Sequence, residues 1–461
     1  MSDLQSLEAL QPPVTTEMRK STRPTWSPRE IASRVIGAVV ILALAMGLPG
    51  ILWYQDWKPR QPVTVQPLMI PGTSTYSSSG TAQFAAVTEG PDGSIVAVGS
   101  SASDRPGKCG LGGTDAFVVR SGVDGKAWSR IYGGSDDDAF NDVAVQPDGT
   151  IIAVGYTKSN NGDFPTNSIH GQGGLIAALD PNGKVIWHKL LEEIWPYPFS
   201  SVALAPNGDI VVAGQTESGG GWYGPTGNVL LRFSAQGDLL WWQWYGVNSR
   251  IEFNSLTITA TGNIVAAGYT SMLPSSDKDY FCAQDQTRCG LVIDVTSNGD
   301  LAWAKTVTDT SVDQSDGQFN SVTLSGNNIV AAGDTRSDGG WAVMLGPDGT
   351  TVWNKTFANV YGNRSEFTAV TPATNGNLIL VGYGVPGGKH ATGPGGAVII
   401  NLAPTGHTAW THAFTTQSSV QLQAVTTTSD GHILAAGLAY SSTSGFGDAY
   451  LVALNSDGTM G

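Results

Sequence analysis

The chain has 461 residues, of which 41% are hydrophobic and only 13% are charged, and its formal net charge is −14 at pH 7. The 14 Trp and the large hydrophobic fraction exclude a disordered chain, and the negative charge argues against a protein that binds nucleic acid along its phosphates. The 59 Gly and the scarcity of charge are typical of many short strands joined by tight turns.

The N-terminal part of the chain is predicted to anchor it in a membrane. Residues 1–34 are polar and contain several prolines, so we predict a disordered cytoplasmic tail there. Residues 35–53 form an uncharged apolar run long enough to span a bilayer as a helix, and residues 54–61 follow as a stalk. Basic residues are denser before the run than after it, which predicts a single-pass protein whose C-terminal part lies on the periplasmic or extracellular side. The alternative is a signal peptide cleaved at Ala43–Ala45.

A hairpin pattern repeats seven times through the rest of the chain. An alternating apolar strand leads into a turn such as Pro147-Asp148-Gly149, and a second apolar strand ends on glycine. A second hairpin follows each one. The first strands begin at Phe84, Phe140, Phe199, Phe253, Phe319, Phe367 and Leu422. Four strands in each of seven units predict an all-β, seven-bladed β-propeller of antiparallel blades over residues 62–461.

The seventh unit lacks its fourth strand, because the sequence ends at Gly461 soon after the turn at Ser456–Gly458. We predict that an N-terminal strand at about residues 62–70 completes the last blade and closes the ring. In such a blade the two tight turns lie on one face, which we call the turn face. The longer and unequal connections lie on the opposite face, which we call the loop face. A closing strand at 62–70 would enter from the turn face, so the loop face would point away from the membrane.

The stretch Tyr132-Gly-Gly-Ser-Asp-Asp-Asp-Ala-Phe140, with Asp163-Phe-Pro165 and Gly113-Thr-Asp-Ala-Phe117, resembles the bacterial SBBP-type seven-bladed β-propeller repeat. The hairpins alone are similar to delta-60-type repeats. The resemblance covers the chain after about residue 80. It implies an extracytoplasmic propeller of a bacterium or archaeon, and it implies no activity because the family is defined by architecture.

Several side chains are candidates for binding. One Trp recurs in each of six units, and we interpret the series as packing between blades rather than as a ligand cage: Trp128, Trp187, Trp241, Trp303, Trp353 and Trp410. Four aromatic residues fall in loop-face connections and suit contacts with a glycan or a protein: Trp195, Tyr197, Trp222 and Tyr223. Acidic residues crowd the same face: Asp136, Asp137, Asp138, Asp163, Glu192, Glu193, Glu252, Asp309, Asp313, Asp316 and Glu366. They form either a solvated surface or a site for calcium or a basic partner.

Cys282 and Cys289 lie in one long connection, and we predict that they form a disulfide in an oxidising compartment. Metal binding is the alternative, but two Cys without a nearby His make a poor zinc site. Cys109 is left without an assigned partner in the sequence. No other cofactor is predicted.

The leading functional hypothesis is a membrane-anchored module that binds a protein or a glycan through its loop face. The alternative is an extracytoplasmic enzyme, a polysaccharide hydrolase or lyase, with its site at the mouth of the central channel. The strand Gly183-Lys-Val-Ile-Trp187 is also similar to repeats of PQQ-type dehydrogenases. Those enzymes typically have eight blades and a vicinal Cys pair, neither of which is present here.

Overall fold

The computed structural model describes residues 72–76, 80–102, 113–123, 125–165, 172–191, 198–216, 227–246, 250–271, 288–308, 316–335, 339–357, 364–385, 396–414, 419–440 and 447–460. The predicted tail, anchor and stalk, residues 1–61, lie outside these ranges. The described elements are β-strands. No described helix is long and apolar enough to cross a membrane.

The strands form seven antiparallel sheets of four strands each, which confirms the seven-bladed propeller. The inner strands are β2 (Ala82–Glu89), β6 (Asp138–Val145), β10 (Phe199–Leu204), β14 (Arg250–Ile258), β18 (Gly317–Ser325), β22 (Arg364–Pro372) and β26 (Val420–Thr427). The second strands are β3 (Ile95–Ala102), β7 (Ile151–Thr157), β11 (Ile210–Thr216), β15 (Ile264–Ser271), β19 (Asn328–Thr335), β23 (Leu378–Val385) and β27 (Ile433–Tyr440).

The third strands are β4 (Thr114–Ser121), β8 (Gly173–Leu179), β12 (Gly227–Phe233), β16 (Arg288–Val295), β20 (Gly339–Leu345), β24 (Gly396–Leu402) and β28 (Gly447–Leu454). The outer strands are β5 (Ala127–Tyr132), β9 (Val185–Leu191), β13 (Leu239–Tyr245), β17 (Leu301–Val307), β21 (Thr351–Phe357), β25 (Thr408–Phe414) and β1 (Gly72–Tyr76). Each inner strand contacts the inner strands of both adjacent blades, and β2 contacts β6 and β26, so the ring is closed.

The last blade is completed by an N-terminal strand, as predicted, but the position of that strand was wrong. Residues Gly72–Tyr76 pair antiparallel with β28, from Gly72 opposite Ala453 to Tyr76 opposite Ala449. The predicted range 62–70 lies outside the described residues. Tyr76 is buried and its ring contacts Phe84 edge-on, with ring centres 5.5 Å apart. This aromatic contact holds the closing strand against the first blade. From its register, β1 begins beside the turn after β28 and runs from the turn face toward the loop face.

The hydrophobic core lies between the blades. One cluster joins Ile152 and Val154 of the second blade to Phe199, Val212 and Leu231 of the third, and similar clusters recur around the ring. Each inner strand has a register shift directly after its repeated Phe, or after Leu422 in the last blade, as between Phe140 and Asp142. The opposite residue is the repeated glycine, which lies two or three residues before the end of the second strand and not at its end as predicted. A Cβ on Gly155 would lie 2.0 Å from the carbonyl oxygen of Ala139, so only glycine fits there.

The repeated Trp pack between blades, which confirms that interpretation. The indole N–H of Trp128 donates to the carbonyl of Pro181 in the next blade at 3.0 Å. The equivalent bonds run from Trp241 to Ser297, from Trp303 to Pro347 and from Trp353 to Pro404. The rings of Trp187 and Trp410 lie against Gly237 and Gly458, which occupy the same turn of their own next blades. At Gly183, Gly237 and Gly458 a larger residue would displace the ring of Trp128, Trp187 or Trp410.

Candidate functional site

The inner strands carry a ring of polar side chains that links successive blades. In five blades, the side chain of the residue after the first-strand Phe donates to the backbone carbonyl of the Phe, or of Leu422, at the start of the next blade. These bonds measure 2.7–2.8 Å and run from Asn141 to Phe199, Ser200 to Phe253, Asn254 to Phe319, Asn320 to Phe367, and Thr368 to Leu422. The amides and hydroxyls that surround the channel are therefore largely used in holding the ring together.

Asp142 is the acidic member of a second set of inter-blade bonds. One carboxylate oxygen accepts from the Ser201 hydroxyl and the Val202 amide at 2.8 Å, and the other accepts from the Val143 amide at 2.8 Å. Burial raises the pKa of Asp142 to about 6, against the opposing effect of these hydrogen bonds. With both oxygens engaged, the carboxyl is placed to tie two blades together rather than to act as an acid or base on a ligand.

Four of the predicted acidic residues come together on the loop face of the second blade. Asp138 and Asp163 contact Gly133 and Gly134, and Ser159 and Asn161 lie against Gly134. Asp163 accepts from the Gly133 amide at 3.1 Å, and its own amide donates to the Gly133 carbonyl. Asp138 accepts from the Gly134 amide at 2.8 Å and from the Ser159 hydroxyl at 2.7 Å. The Asp-Phe-Pro element of the repeat thus closes a loop onto the preceding blade connection.

These four side chains have different environments. Asp138 is fully buried, and burial raises its pKa. Asp137 is partly exposed, and its pKa is lowered by the hydrogen bond from the Thr114 amide and by Lys158, whose ammonium lies 3.1 Å away. Asp136 is exposed. Among the described residues, no group of three or more His, Cys, Asp or Glu side chains is arranged to hold a metal ion.

The other predicted site residues are only partly described. Trp195, Tyr197, Trp222, Tyr223, Glu192, Glu193, Asp309, Asp313 and Cys282 lie outside the described residues. Asp316 accepts from the backbone amide of Arg288 at 3.1 Å. Cys289 is buried at the beginning of the third strand of the fourth blade. The proposed Cys282–Cys289 disulfide stays a prediction.

A further set of polar residues lies on the loop-face side of the channel, and we call it the mouth strip: Glu252, Tyr269, Arg288, Gln318 and Asn320. The Tyr269 hydroxyl donates to the Glu252 carboxylate, and the Arg288 guanidinium stacks 4.0 Å from the centre of the Tyr269 ring. Arg288 also donates to the Gln318 side-chain oxygen at 2.5 Å, and the Gln318 amide donates to Asn320 at 3.1 Å. The strip crosses from the fourth blade to the fifth and meets the channel ring at Asn320.

The mouth strip contains a cross-strand pair of side chains, which is not recognised when each residue is considered alone. Glu252 and Tyr269 are direct cross-strand partners, one residue outside the Phe253 and Gly268 pair. The sixth blade repeats this arrangement, since Glu366 lies opposite Tyr383 and accepts its hydroxyl at 2.9 Å. Both carboxylates were noted as part of an acidic surface. Their tyrosine partners could have been found by aligning the residues that flank the repeat's Phe and Gly.

Comparison with known proteins agrees with the architecture. The family model described as domain of unknown function (DUF5122) beta-propeller matches residues 428–460, within the last blade. This match and the seven-bladed ring support a bacterial type of β-propeller repeat protein. Among curated proteins, none matches the chain.

Solved structures with similar folds are distant. A protein of unknown function from Bacteroides caccae is 12% identical, with 62% of this chain and 87% of that chain covered and a TM-score of 0.37. The WD40 domain of Toxoplasma gondii coronin is 10% identical over 84% and 88%, with a TM-score of 0.44. The Synechocystis apocarotenoid oxygenase is 12% identical over 84% and 94%, with a TM-score of 0.41. We draw no functional argument from similarities of this size.

Proposed function

We propose that this chain is a membrane-anchored binding module whose loop face takes a protein or glycan partner outside the cytoplasm. A β-propeller in general supports a binding or assembly role. The mouth strip is the observation that supports the location of the site. Its carboxylate, phenol, guanidinium and amides are held by one another, so they present donors and acceptors in a fixed arrangement.

The chemistry of the strip suits a ligand rich in hydroxyl or peptide groups. Glu252 accepts the Tyr269 hydroxyl and Arg288 lies over the face of the same ring, so the strip contains both signs of charge and needs no charged partner. Half-buried polar groups beside an aromatic ring are typical of sites that recognise sugars and protein loops. The exposed Asp136 adds an acidic group on the same face. Calcium binding there stays a prediction.

The binding experiment compares two arginines on opposite faces. Arg288→Ala breaks the mouth strip, whereas Arg120→Ala removes the partner of Asp92 beside a tight turn of the first blade. Binding of the purified chain to cell-wall polysaccharides and to detergent-solubilised envelope proteins is measured by biolayer interferometry. Arg288→Ala should weaken binding about tenfold or more, because charged hydrogen bonds are lost. Arg120→Ala should leave it unchanged. Equal effects of the two variants, or binding unaffected by Arg288→Ala, would contradict the proposed site.

The membrane placement rests on the uncharged run 35–53 and on the basic residues that precede it. When the full chain is expressed in a Gram-negative bacterial host, it should remain with the membranes after an alkaline carbonate wash. Protease added to spheroplasts should digest the propeller and spare a cytoplasmic marker. A chain recovered in the wash, or a propeller protected in intact spheroplasts, would refute this part of the proposal.

A further inference from the structure

The outer strand of the third blade, β13, differs from the other outer strands in its composition. Its sequence is Leu-Leu-Trp-Trp-Gln-Trp-Tyr, without a charged residue. Leu239 is 40% exposed, Leu240 52% and Trp242 43%. Trp244 packs edge-on against Trp242 with ring centres 6.0 Å apart. The strand is the last of its sheet, so its outer edge has no neighbouring strand in that sheet.

Most other outer strands carry a charge that protects such an edge. Two residues after the repeated Trp, four blades place a basic side chain: Arg130, Lys189, Lys305 and Lys355. The sixth blade has His412 there, and the closing strand β1 is a short polar segment. Basic residues and short polar strands are the usual means by which sheet edges avoid pairing with other chains. At the equivalent position β13 has the uncharged Gln243, beside the exposed Trp242, so its edge is neither charged nor short and polar.

We propose that β13 is a self-association site, at which the outer strands of two copies of this chain pair antiparallel across a two-fold axis. A two-fold interface brings the same patch of both copies together. With Trp242 on the axis, Trp242 faces its own copy and Leu240 faces Trp244 of the second copy. These aromatic and aliphatic cross-strand pairs stabilise antiparallel strands. The exposed Leu and Trp side chains of the two paired strands then form one apolar patch that continues from one sheet to the other.

The absence of charge is the argument for a second copy as the partner. An outer strand with a lysine would place like charges close together when paired with itself, and such pairs are unfavourable. β13 can pair with itself without this penalty. Each copy carries a formal charge of −14, so long-range repulsion opposes association and salt screens it. Dimerisation should therefore strengthen as salt rises, whereas recognition of a basic partner would weaken.

The first test is sedimentation velocity of the full chain in detergent over a range of concentrations. Leu240→Lys is compared with Val352→Lys, because Val352 occupies the equivalent position on β21, is 56% exposed, and gives the same change of charge. The wild-type chain and Val352→Lys should form the same dimer, which tightens between about 0.05 and 0.3 M salt. Leu240→Lys should weaken it about tenfold or more, since the substitution occurs twice in each dimer. A monomeric wild type, or equal dimerisation of both variants, would overturn the proposal.

The second test addresses the pairing register and does not depend on folding stability. Trp242→Cys places two thiols opposite each other on the axis, and the Cα spacing of facing antiparallel residues permits a disulfide. Mild oxidation should yield a covalent dimer of Trp242→Cys. Val352→Cys and the wild-type chain, which has its own three Cys, should yield much less. A dimer that fails to cross-link through residue 242 would exclude strand pairing in this register.

Discussion

Asp142 illustrates how a single side chain serves the ring at some cost in free energy. It accepts hydrogen bonds from two adjacent blades, yet burial raises the pKa of its carboxyl to about 6. The ionised form is therefore less favourable in the folded chain than in the unfolded chain, where the pKa of Asp is about 3.9. The folded state therefore binds the proton more readily than the unfolded chain does. The contribution of this proton to stability is complete below the pKa of the unfolded chain, and it is lost as pH rises through about 6.

Asp142→Asn should remove this pH dependence. The free energy of unfolding, measured by urea titration between pH 7 and pH 5, should rise more on acidification for the wild type than for the variant. Asp348→Asn is the matched control, because Asp348 lies in an exposed turn and its hydrogen bonds with Thr350 lower its pKa. The contribution of Asp348 is lost only at lower pH, so this variant should follow the wild type over the same range. A parallel slope for Asp142→Asn would show that the carboxyl titrates normally.

At this scale the sequence predicts core positions better than it predicts site residues. The first-strand Phe residues and the glycines opposite them are identified because their spacing repeats with the blade, although the second strands continue beyond these glycines. The partners of the predicted acids were not identified. Asp138 and Asp163 accept amides from Gly133 and Gly134, and such contacts depend on loop conformation, which carries no periodic signal. A cluster of carboxylates in a sequence therefore does not distinguish a structural loop closure from a ligand site.

The contact between an outer strand and the next blade's turn is the main repeated link between elements. Trp128 of β5 donates to Pro181, and its ring covers Gly183. Trp128→Phe should lower the free energy of unfolding by about 1 kcal/mol, because it removes the hydrogen bond and keeps most of the apolar contact. Trp128→Ala should lower it by about 3 kcal/mol, because it also removes the ring.

Equilibrium urea unfolding followed by circular dichroism measures both changes. Ile186→Ala is the control, since this side chain is 55% exposed on the adjacent outer strand and its truncation should cost less than about 0.5 kcal/mol. If Trp128→Ala cost no more than Ile186→Ala, the Trp series would have no structural role. That result would reopen the ligand-cage interpretation of these residues.

The position of the closing strand shows what element-level patterns leave open. The seventh repeat supplies three strands of the last blade, and β1 from the N-terminal side supplies the fourth. Residues 62–70 have alternating apolar side chains, but they include Pro62 and Pro67, which lack a backbone donor. The segment Gly72–Tyr76 is polar, and its one strong signal is the buried Tyr76. The segment that forms the closing strand is determined by pairing with β28, which lies far away in the sequence, and not by the local sequence pattern.

At the scale of the whole molecule, the ring has one interface unlike the other six. Six interfaces carry the repeated Trp between adjacent blades. The seventh lies between the last blade and the first, where β1 takes the outer position and its sequence contains no Trp. There Tyr76 contacts Phe84, and Glu89 of the first blade accepts from the Ser429 amide at 2.7 Å. This seam joins the two ends of the propeller and should be its weakest interface.

A disulfide between β1 and β28 would fix the closing strand, whose Tyr76 packs on Phe84 across this seam, in the last blade, and it should therefore stabilise the whole ring. Thr75 and Tyr450 are opposite each other in β1 and β28, so the double variant Thr75→Cys/Tyr450→Cys can form the bond. Oxidation closes almost the entire propeller into one loop, which should raise the free energy of unfolding by about 3 kcal/mol over the reduced protein. Ser325→Cys/Asn328→Cys is the control, because that pair closes a single tight turn and removes little chain entropy.

Hydrogen exchange should be fastest in β1 and β28 of the wild type, and oxidation should slow it there. If those strands exchanged no faster than their equivalents in other blades, the closing strand would be held as firmly as the outer strands of the other blades.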